Sequence, residues 1–387
     1  MTASSILTRP PTYSISSAVR RSQNSTDMTT LDGTATSPDD RQEHDLPAVC
    51  RRINAKLAAF LARPAATERL RSVQEHTRIS LFVIARALEV YGLEHIALSF
   101  NGGKDCLVLL ILLLAVLDEY FTAIAQGKSF SAAAAYPATP ESVVTASTPP
   151  SLFHPVQTDS HAEPTPLPSP SEEEGENTPP TPNTPASSNG TSHSSVSNGN
   201  GNGSVQQREI QTVYIHSSHP FAEVDSFVAR CVREYHLALL RYDENKGMKA
   251  AFRVYLAQNP AVRAVFVGTR RTDPHGGSLR HFDMTDGGWP AFMRCHPVID
   301  WCYADVWGFL RELEIPYCPL YDLGYTSLGG TTDTHPNPAL QRGMAKTAAE
   351  TNGEATAERR KSLSSCFRPA YELDFHADEQ ERLGRDR

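Results

Sequence analysis

The residues best suited to chemistry in this chain form the run Ser99-Phe100-Asn101-Gly102-Gly103-Lys104-Asp105. A short apolar segment precedes the run and a long one follows it, which predicts a strand, a glycine turn and the start of a helix. The two glycines let backbone N–H groups approach an anion, and the helix N-terminus adds a positive dipole end. Lys104 is expected to add a mobile cation.

The glycine pair alone would also suit an ordinary joint between a strand and a helix. Ser, Asn, Lys and Asp cluster at the same point, however, and this clustering favours a phosphate-binding loop. The spacing differs from the G-x-x-x-x-G-K-S/T pattern of the common nucleotide-binding loop.

A second polar run, Gly268-Thr269-Arg270-Arg271-Thr272-Asp273-Pro274, follows another predicted strand. The carboxyl ends of parallel strands meet at one edge of a sheet, so we expect this run to lie beside the first. Its guanidinium groups offer forked donors to a phosphate, and Asp273 can accept a hydrogen bond from a ring N–H. From composition alone, a solvated charged turn explains this run equally well.

Aromatic side chains mark two later loops, Trp289–Arg294 and Tyr325–Thr331, and Arg382 and Arg385 lie near the C-terminus. Aromatic rings on loops can stack on a planar ligand, although each loop alone is typical of buried anchoring. The two arginines alone are typical of a frayed charged tail.

The elements that must position these runs alternate between helices and strands. Helices are predicted over residues 48–63, 67–91, 104–125, 221–236, 246–258 and 303–314. Strands are predicted over residues 95–100, 211–216, 237–242, 262–269 and 298–299. This alternation predicts an α/β fold, an open and mostly parallel sheet with helices on both faces.

Three segments lack the periodic apolar content of a packed core and are predicted to be disordered. They are an N-terminal tail at residues 1–45, a Pro- and Ser-rich insert at 127–207 and a loop at 343–365. The remainder is predicted to form a single catalytic α/β domain from residues 46–126, 208–342 and 366–387.

Charge and cysteine content narrow the class of protein. The net charge is −8 without a long basic run, which argues against a nucleic-acid partner. Seven scattered cysteines without a C-x-x-C pair indicate reduced thiols and a cytoplasmic location. Arg9, Arg20 and Arg21 precede the first acidic residue, so a mitochondrial transit segment is the alternative.

The longest apolar run, Cys106–Leu117, is shorter than the roughly 20 residues that a membrane-spanning helix needs. We therefore expect no membrane span. A monomer is expected rather than an oligomer.

The loop Ser99–Asp105 resembles the pyrophosphate loop of the N-type ATP pyrophosphatases, which include sulfonucleotide (PAPS) reductases and eukaryotic FMN adenylyltransferases. Its form S-F-N-G-G-K-D is most similar to that of the FMN adenylyltransferases. The run Gly268–Pro274, the two aromatic loops and the pair Arg382 and Arg385 also resemble fungal FAD synthases in order and approximate spacing.

This resemblance implies an adenine nucleotide alpha hydrolase-like fold and a reaction in which ATP and FMN give FAD and pyrophosphate, with Mg²⁺. It implies that ATP is bound by Ser99, Phe100, Asn101, Gly102, Gly103, Lys104, Asp105, Ile215 and His216. It implies that FMN is bound by Gly268, Arg270, Asp273, Trp289, Tyr325, Arg382 and Arg385. The catalytic residues it implies are Asn101, Lys104, Asp105, Arg382 and Arg385, with Asp105 also contacting Mg²⁺.

Two alternatives stay open. One is a PAPS reductase-like enzyme or another ATP pyrophosphatase on the same fold, although the E-C-G-x-H pattern of the reductases is absent around Cys366. The other is a non-catalytic nucleotide-binding scaffold that recruits partners through the insert. The pair His216 and His219 lacks the glycine of the H-x-G-H pattern, so we interpret it as part of a loop near adenine.

Overall fold

The computed structural model describes residues 45–137, 209–243, 247–342, 363 and 366–386. Most of the three segments predicted to be disordered lies outside these ranges.

The longer helices begin and end at residues suited to those places. Asp45 caps the first helix by accepting a hydrogen bond from Ala48 N at 2.8 Å, and Thr67 caps the second by accepting from Leu70 N at 3.1 Å. Gly92, with φ of 73°, ends the second helix. The α-helices are α1 Leu46–Ala62, α2 Glu68–Tyr91, α3 Lys104–Ala125, α4 Ala132–Ala135, α5 Ala222–Glu234, α6 Met248–Gln258, α7 Tyr303–Glu312 and α8 Ala377–Gln380.

The described strands form one six-stranded sheet in the order β3-β2-β1-β4-β6-β5. All neighbours are parallel except β5 and β6, which are antiparallel. The strands are β1 Ile96–Ser99, β2 Ile210–His216, β3 Leu237–Asp243, β4 Ala264–Phe266, β5 Phe282–Met284 and β6 Met293–Cys295. The predicted α/β class, with a mostly parallel sheet between helices, is confirmed.

The central position of β1 decides which loops meet. Leu98 in β1 lies opposite Thr212 in β2 and Phe266 in β4. The loops that follow β1, β2 and β4 therefore leave the same edge of the sheet, and the first and third of these are the two polar runs predicted to bind ligands.

Helix α3 is the apolar centre of the fold. Nearly all of its first fourteen residues are buried, and it packs against α1 and α2. By length and composition this 22-residue helix could cross a membrane. Its burial among the other helices is what a core helix of this fold requires.

Three expectations are corrected. Val298 and Ile299 lie in a turn and not in a strand. The strands on that side of the sheet are instead β5 and β6. Strands β5 and β6 were missed because each has only three residues, too few to show a periodic apolar pattern in the sequence. The predicted insert begins later than residue 127, since Phe130 packs edge-on against Tyr120 and Ala132 is buried.

The close approach of α3 to the end of β4 yields a testable prediction. A Cβ atom at Gly268 would lie 2.9 Å from the backbone nitrogen of Cys106, a contact that backbone cannot relieve without moving the helix. We expect Gly268→Ala to lower the free energy of unfolding by about 1–3 kcal/mol in urea denaturation. Gly277→Ala is the control, because a Cβ there meets nothing within 4 Å. Equal stabilities for the two variants would contradict the prediction.

Candidate active site

The turn after β1 is built around the side chain of Asn101. Its Oδ1 accepts hydrogen bonds from Gly103 N at 3.0 Å and from the thiol of Cys106 at 3.0 Å. Gly102 adopts φ of 77°, and a Cβ there would lie 2.9 Å from the side chain of Val228. Gly102 is thus needed for a tight turn that brings the N-terminus of α3 to the sheet edge, as a phosphate-binding loop requires.

Lys104 begins α3 but does not extend into solvent. Its side chain is 2% exposed, and Nζ donates to Asp105 Oδ2 at 3.0 Å and to Glu381 Oε1. The phenol oxygen of Tyr321 accepts a hydrogen bond from the backbone nitrogen of Lys104 at 2.8 Å. The expectation of a mobile cation is therefore wrong for this structure, because two carboxylates hold the ammonium group beneath the turn.

Asp105 joins this turn to the second polar run. Its Oδ1 lies 2.9 Å from Nε of Arg270, which follows β4. Burial acts to raise the pKa of Asp105, but the positive charges of Arg270 and Lys104 outweigh it and hold the pKa below its usual range. The carboxylate is therefore ionised, with Oδ2 hydrogen-bonded to Lys104 and Oδ1 in an ion pair with Arg270.

Arg270 is the most completely buried charged residue described, with 1% of its side chain exposed. Its guanidinium group contacts four carboxylates, those of Asp105, Asp273, Asp378 and Glu381. Burial disfavours its charge, but these carboxylates raise its pKa. We call Lys104, Arg270 and the four carboxylates the ion cluster. It holds two positive and four negative groups, a formal charge of −2.

The predicted site omitted two members of the ion cluster, Asp378 and Glu381. Both belong to the C-terminal segment, residues 377–386, which reads as a charged tail in sequence. The one sign in the sequence that this segment could supply a carboxylate to the site was that Glu381 lies next to the pair Arg382 and Arg385. Asp378 Oδ1 also accepts from Tyr303 N at 2.8 Å, so the segment contacts the start of α7 as well as Arg270.

The loop at residues 324–337 holds the C-terminal segment in place. Thr326 Oγ1 donates to the backbone oxygen of Glu381 at 2.6 Å, and the buried Asn337 donates to Gln380 O at 2.7 Å. His335 N donates to Gly384 O at 2.7 Å. The segment is therefore docked along its length, and its carboxylates are fixed relative to the sheet edge.

The two C-terminal arginines have different surroundings. Arg382 is exposed. Arg385 donates to Asp333 Oδ2 at 3.0 Å, and its guanidinium group fills the space that a Cβ on Gly329 would need. The segment returns to the turn after β1, but the contact with this turn is made by Glu381. The assignment of either arginine to a phosphate stays a prediction.

The loop after β2 meets the loop at residues 324–337. Thr331 N donates to His219 O at 2.8 Å, and Gly330 leaves room for Ser217 Oγ. His216 and Ile215 end β2 and are half-buried. Both residues predicted to bind adenine therefore lie at the expected edge of the sheet, and the binding itself stays a prediction.

The predicted flavin-binding residues fall in two places. Asp273 lies beside Arg270 and accepts from its backbone nitrogen at 2.8 Å. Trp289 lies on the β5–β6 loop, with its ring 6.0 Å from that of Phe252 on α6. Tyr325 is buried and packs edge-on against Phe221, so it anchors the loop instead of presenting a free face.

The predicted Mg²⁺ contact was tested against the donors present. Among the described residues, no group of three or more His, Cys, Asp or Glu side chains is arranged to enclose a metal ion. Asp105 is the carboxylate nearest the turn, with its side chain 22% exposed. One carboxylate combined with substrate phosphates is a common environment for Mg²⁺. The residues fit a metal that arrives with a phosphorylated substrate.

The chain is similar in sequence to a known domain family and to known enzymes. Residues 203–336 match the family model described as the phosphoadenosine phosphosulfate reductase domain. The chain is 31% identical over 290 residues to a probable FAD synthase of Schizosaccharomyces pombe, covering 75% of this chain and 79% of that protein. It is 28% identical over 251 residues to the flavin adenine dinucleotide synthase of Saccharomyces cerevisiae, covering 64% of this chain and 60% of that protein.

Among solved structures, Candida glabrata FMN adenylyltransferase in complex with FAD and inorganic pyrophosphate is similar, with a TM-score of 0.61. The alignment has 22% sequence identity and covers 89% of this chain and 98% of that one. This likeness shows a shared fold.

The ion cluster predicts an asymmetry between two adjacent arginines. Arg270→Leu leaves four carboxylates without their guanidinium partner, so we expect a loss of about 3–5 kcal/mol in the free energy of unfolding. Arg271→Leu removes a half-exposed pair with Asp300 and should cost about 0–1 kcal/mol. Urea denaturation of both variants checks this difference. Losses of equal size would show that the ion cluster does not depend on Arg270.

Proposed function

The chain belongs to the FAD synthase family, and we infer from this membership and from its site that it is an FMN adenylyltransferase. It transfers AMP from ATP to FMN, giving FAD and pyrophosphate. One observation carries this inference: in a chain 31% identical to a probable FAD synthase, the turn Ser99–Asp105 and the run after β4 are joined by direct ion pairs. A phosphate-binding loop and a second ligand loop at one edge suit a reaction between two bound substrates.

The reaction needs placement more than it needs a reactive side chain. The phosphate of FMN is already ionised and acts as the nucleophile on the α-phosphorus of ATP, so no covalent enzyme intermediate is required. Catalysis then depends on alignment and on neutralising charge as pyrophosphate leaves. We propose that the turn and the N-terminus of α3 bind the β- and γ-phosphates of ATP. Asn101 shapes the turn and is exposed, and we propose that it lies beside the α-phosphate of bound ATP.

The position of Lys104 changes the role proposed for it. Its ammonium group is paired with Asp105 and Glu381, so it supports the turn from below. We therefore propose that Lys104 acts on ATP through the shape of the turn.

We also propose that Mg²⁺ accompanies ATP and that Asp105 is its protein contact. The ion cluster carries a formal charge of −2, which would repel the phosphates of ATP unless a divalent cation intervened. When bound, Mg²⁺ would neutralise phosphate oxygens and favour departure of pyrophosphate.

For FMN, we propose that Asp273 and Trp289 contact the flavin, and that Arg382 and Arg385 neutralise its phosphate. Asp273 retains an exposed fraction of 26%. The exposure of Arg382, together with the docking of the C-terminal segment, supports a role at the mouth of the site. A cytoplasmic location and a monomeric state are proposed as well, and seven free cysteines support a reducing compartment.

A sulfonucleotide reductase is the main competing function, supported by the family-model match over about a third of the chain. The two functions differ in their products. Purified protein is incubated with ATP, Mg²⁺ and FMN, and FAD and pyrophosphate are followed by chromatography. We expect both in equal amounts. Sulfite from phosphoadenosine phosphosulfate and a thiol reductant, with no FAD from FMN, would overturn the assignment; pyrophosphate without FAD would indicate an ATP pyrophosphatase.

The proposed role of the turn is tested by Asn101→Ala. Loss of its Oδ1 removes the acceptor for Gly103 N, so the turn loosens and the rate of FAD formation should fall about 10²- to 10³-fold. Asn54→Ala is the control, because Asn54 donates to Asp118 near the far end of α3, roughly 20 Å along the helix. An equal effect of both variants on the rate would contradict the role of the turn.

The proposed metal requirement is tested by titration. Chelation with EDTA should abolish FAD formation, and excess Mg²⁺ should restore it. Asp105→Asn should raise the Mg²⁺ concentration needed for half-maximal rate, because it removes the proposed protein contact. The same measurement with Asp374→Asn, a mostly exposed carboxylate paired with Arg69, should match the unsubstituted protein. An unchanged Mg²⁺ requirement for Asp105→Asn would remove Asp105 from the metal site.

A further inference from the structure

Glu381 links the two ligand loops through a single carboxylate. The side chain is 5% exposed, Oε1 accepts from Nζ of Lys104, and Oε2 accepts from Nη2 of Arg270. Lys104 belongs to the turn after β1, and Arg270 belongs to the run after β4. The carboxylate therefore contacts both loops at once while it is shielded from solvent.

The backbone on which Glu381 is mounted is itself fixed. Its carbonyl oxygen accepts from Thr326 Oγ1 at 2.6 Å, and the preceding carbonyl accepts from Asn337. Its N–H donates to Ala377 O at 2.8 Å. These bonds do not involve the carboxylate, so a change at the end of the side chain leaves the docking of the C-terminal segment in place.

Both oxygens of the Glu381 carboxylate must act as hydrogen-bond acceptors. Both neighbours are cationic donors, and only a group with two acceptor oxygens satisfies both. An amide of the same shape has one acceptor and one donor, so in either orientation it points an N–H group at a donor. Glutamine at this position would keep the volume of the side chain and break one of the two links.

We propose that Glu381 is a positioning residue that helps to set the separation of the turn after β1 (the ATP loop) from the run after β4 (the FMN loop). Its carboxylate holds Lys104 and Arg270 together from the side of the C-terminal segment, and Asp105 pairs with the same two cations from α3. It touches neither substrate. This proposal rests on the proposed function, because its consequence is measured as the rate of FAD formation.

A residue of this kind affects alignment more than it affects binding. Each loop can still bind its own substrate when the link is broken, but the FMN phosphate and the α-phosphorus are no longer held at attack distance. Small misplacements of reacting groups cost rate steeply. For Glu381→Gln we therefore expect kcat to fall about 10- to 100-fold, with KM for ATP and for FMN each changing less than about threefold.

The experiment compares four proteins in steady-state and single-turnover assays of FAD formation, together with thermal unfolding. They are the unsubstituted protein, Glu381→Gln, Glu379→Gln and Val73→Ala. Glu379 is a mostly exposed carboxylate on the same segment, paired with His376, and should leave kcat unchanged. Val73 is a buried core residue of α2, and its truncation should lower Tm while leaving kcat of the folded protein unchanged.

The expected result is a loss of single-turnover rate in Glu381→Gln that Val73→Ala does not show at an equal or greater loss of Tm. Glu381→Asp provides a second measurement if the glutamine variant does not fold. It keeps the charge but is one methylene shorter, so it should reach one cation only and show a similar loss of kcat.

Two results would overturn the proposal. One is a kcat for Glu381→Gln or Glu381→Asp equal to that of the unsubstituted protein, with a change in Tm alone. The other is a change confined to KM for one substrate, which would mean direct action on that substrate. Failure of the proposed function is a different result, since the unsubstituted protein would then form no FAD.

Discussion

The arrangement of the site depends on the buried guanidinium group of Arg270. A cation removed from water is tolerated only where carboxylates surround it, and here they come from three separate parts of the chain: Asp105 at the start of α3, Asp273 in the same run, and Asp378 and Glu381 in the C-terminal segment. A buried ion pair is weak evidence for stability, since desolvation offsets much of the attraction. Its consequence is geometric: three segments distant in sequence must meet at one point.

This requirement explains why the C-terminal segment folds back at all. Its described portion contains one short helix, α8, and Phe375 and Leu383 at or near its ends are largely exposed, so apolar burial supplies little of its docking. Hydrogen bonds from Thr326 and Asn337, together with the carboxylates on Arg270, supply the rest. A tail held by polar contacts can be well placed without contributing much to the core, which suits a segment that completes a site.

The parts predicted well from sequence are those governed by local physics. Helix α3 begins at Lys104 and ends at Ala125 as its apolar run predicts, and Thr67 and Gly92 bound α2 through capping and glycine geometry. The parts that were missed depend on distant partners. β5 and β6 have three residues each; β6 forms because it pairs with β4, and β5 forms because it pairs with β6. Nothing local in the sequence shows that Glu381 would be buried, because its partners lie 277 and 111 residues away.

Lys104 illustrates the same limit in chemical terms. A lysine after two glycines at a helix start is a sound basis for predicting a phosphate contact, because the loop and the helix dipole attract anions. Whether the ammonium group reaches the phosphate depends on what else competes for it. Here the carboxylates of Glu381 and Asp105 pair with the ammonium group, and the sum of these three charges is negative. In the proposed function, the turn therefore binds phosphates through its backbone and through a cation brought by the substrate, and the lysine holds the turn in the shape that allows both.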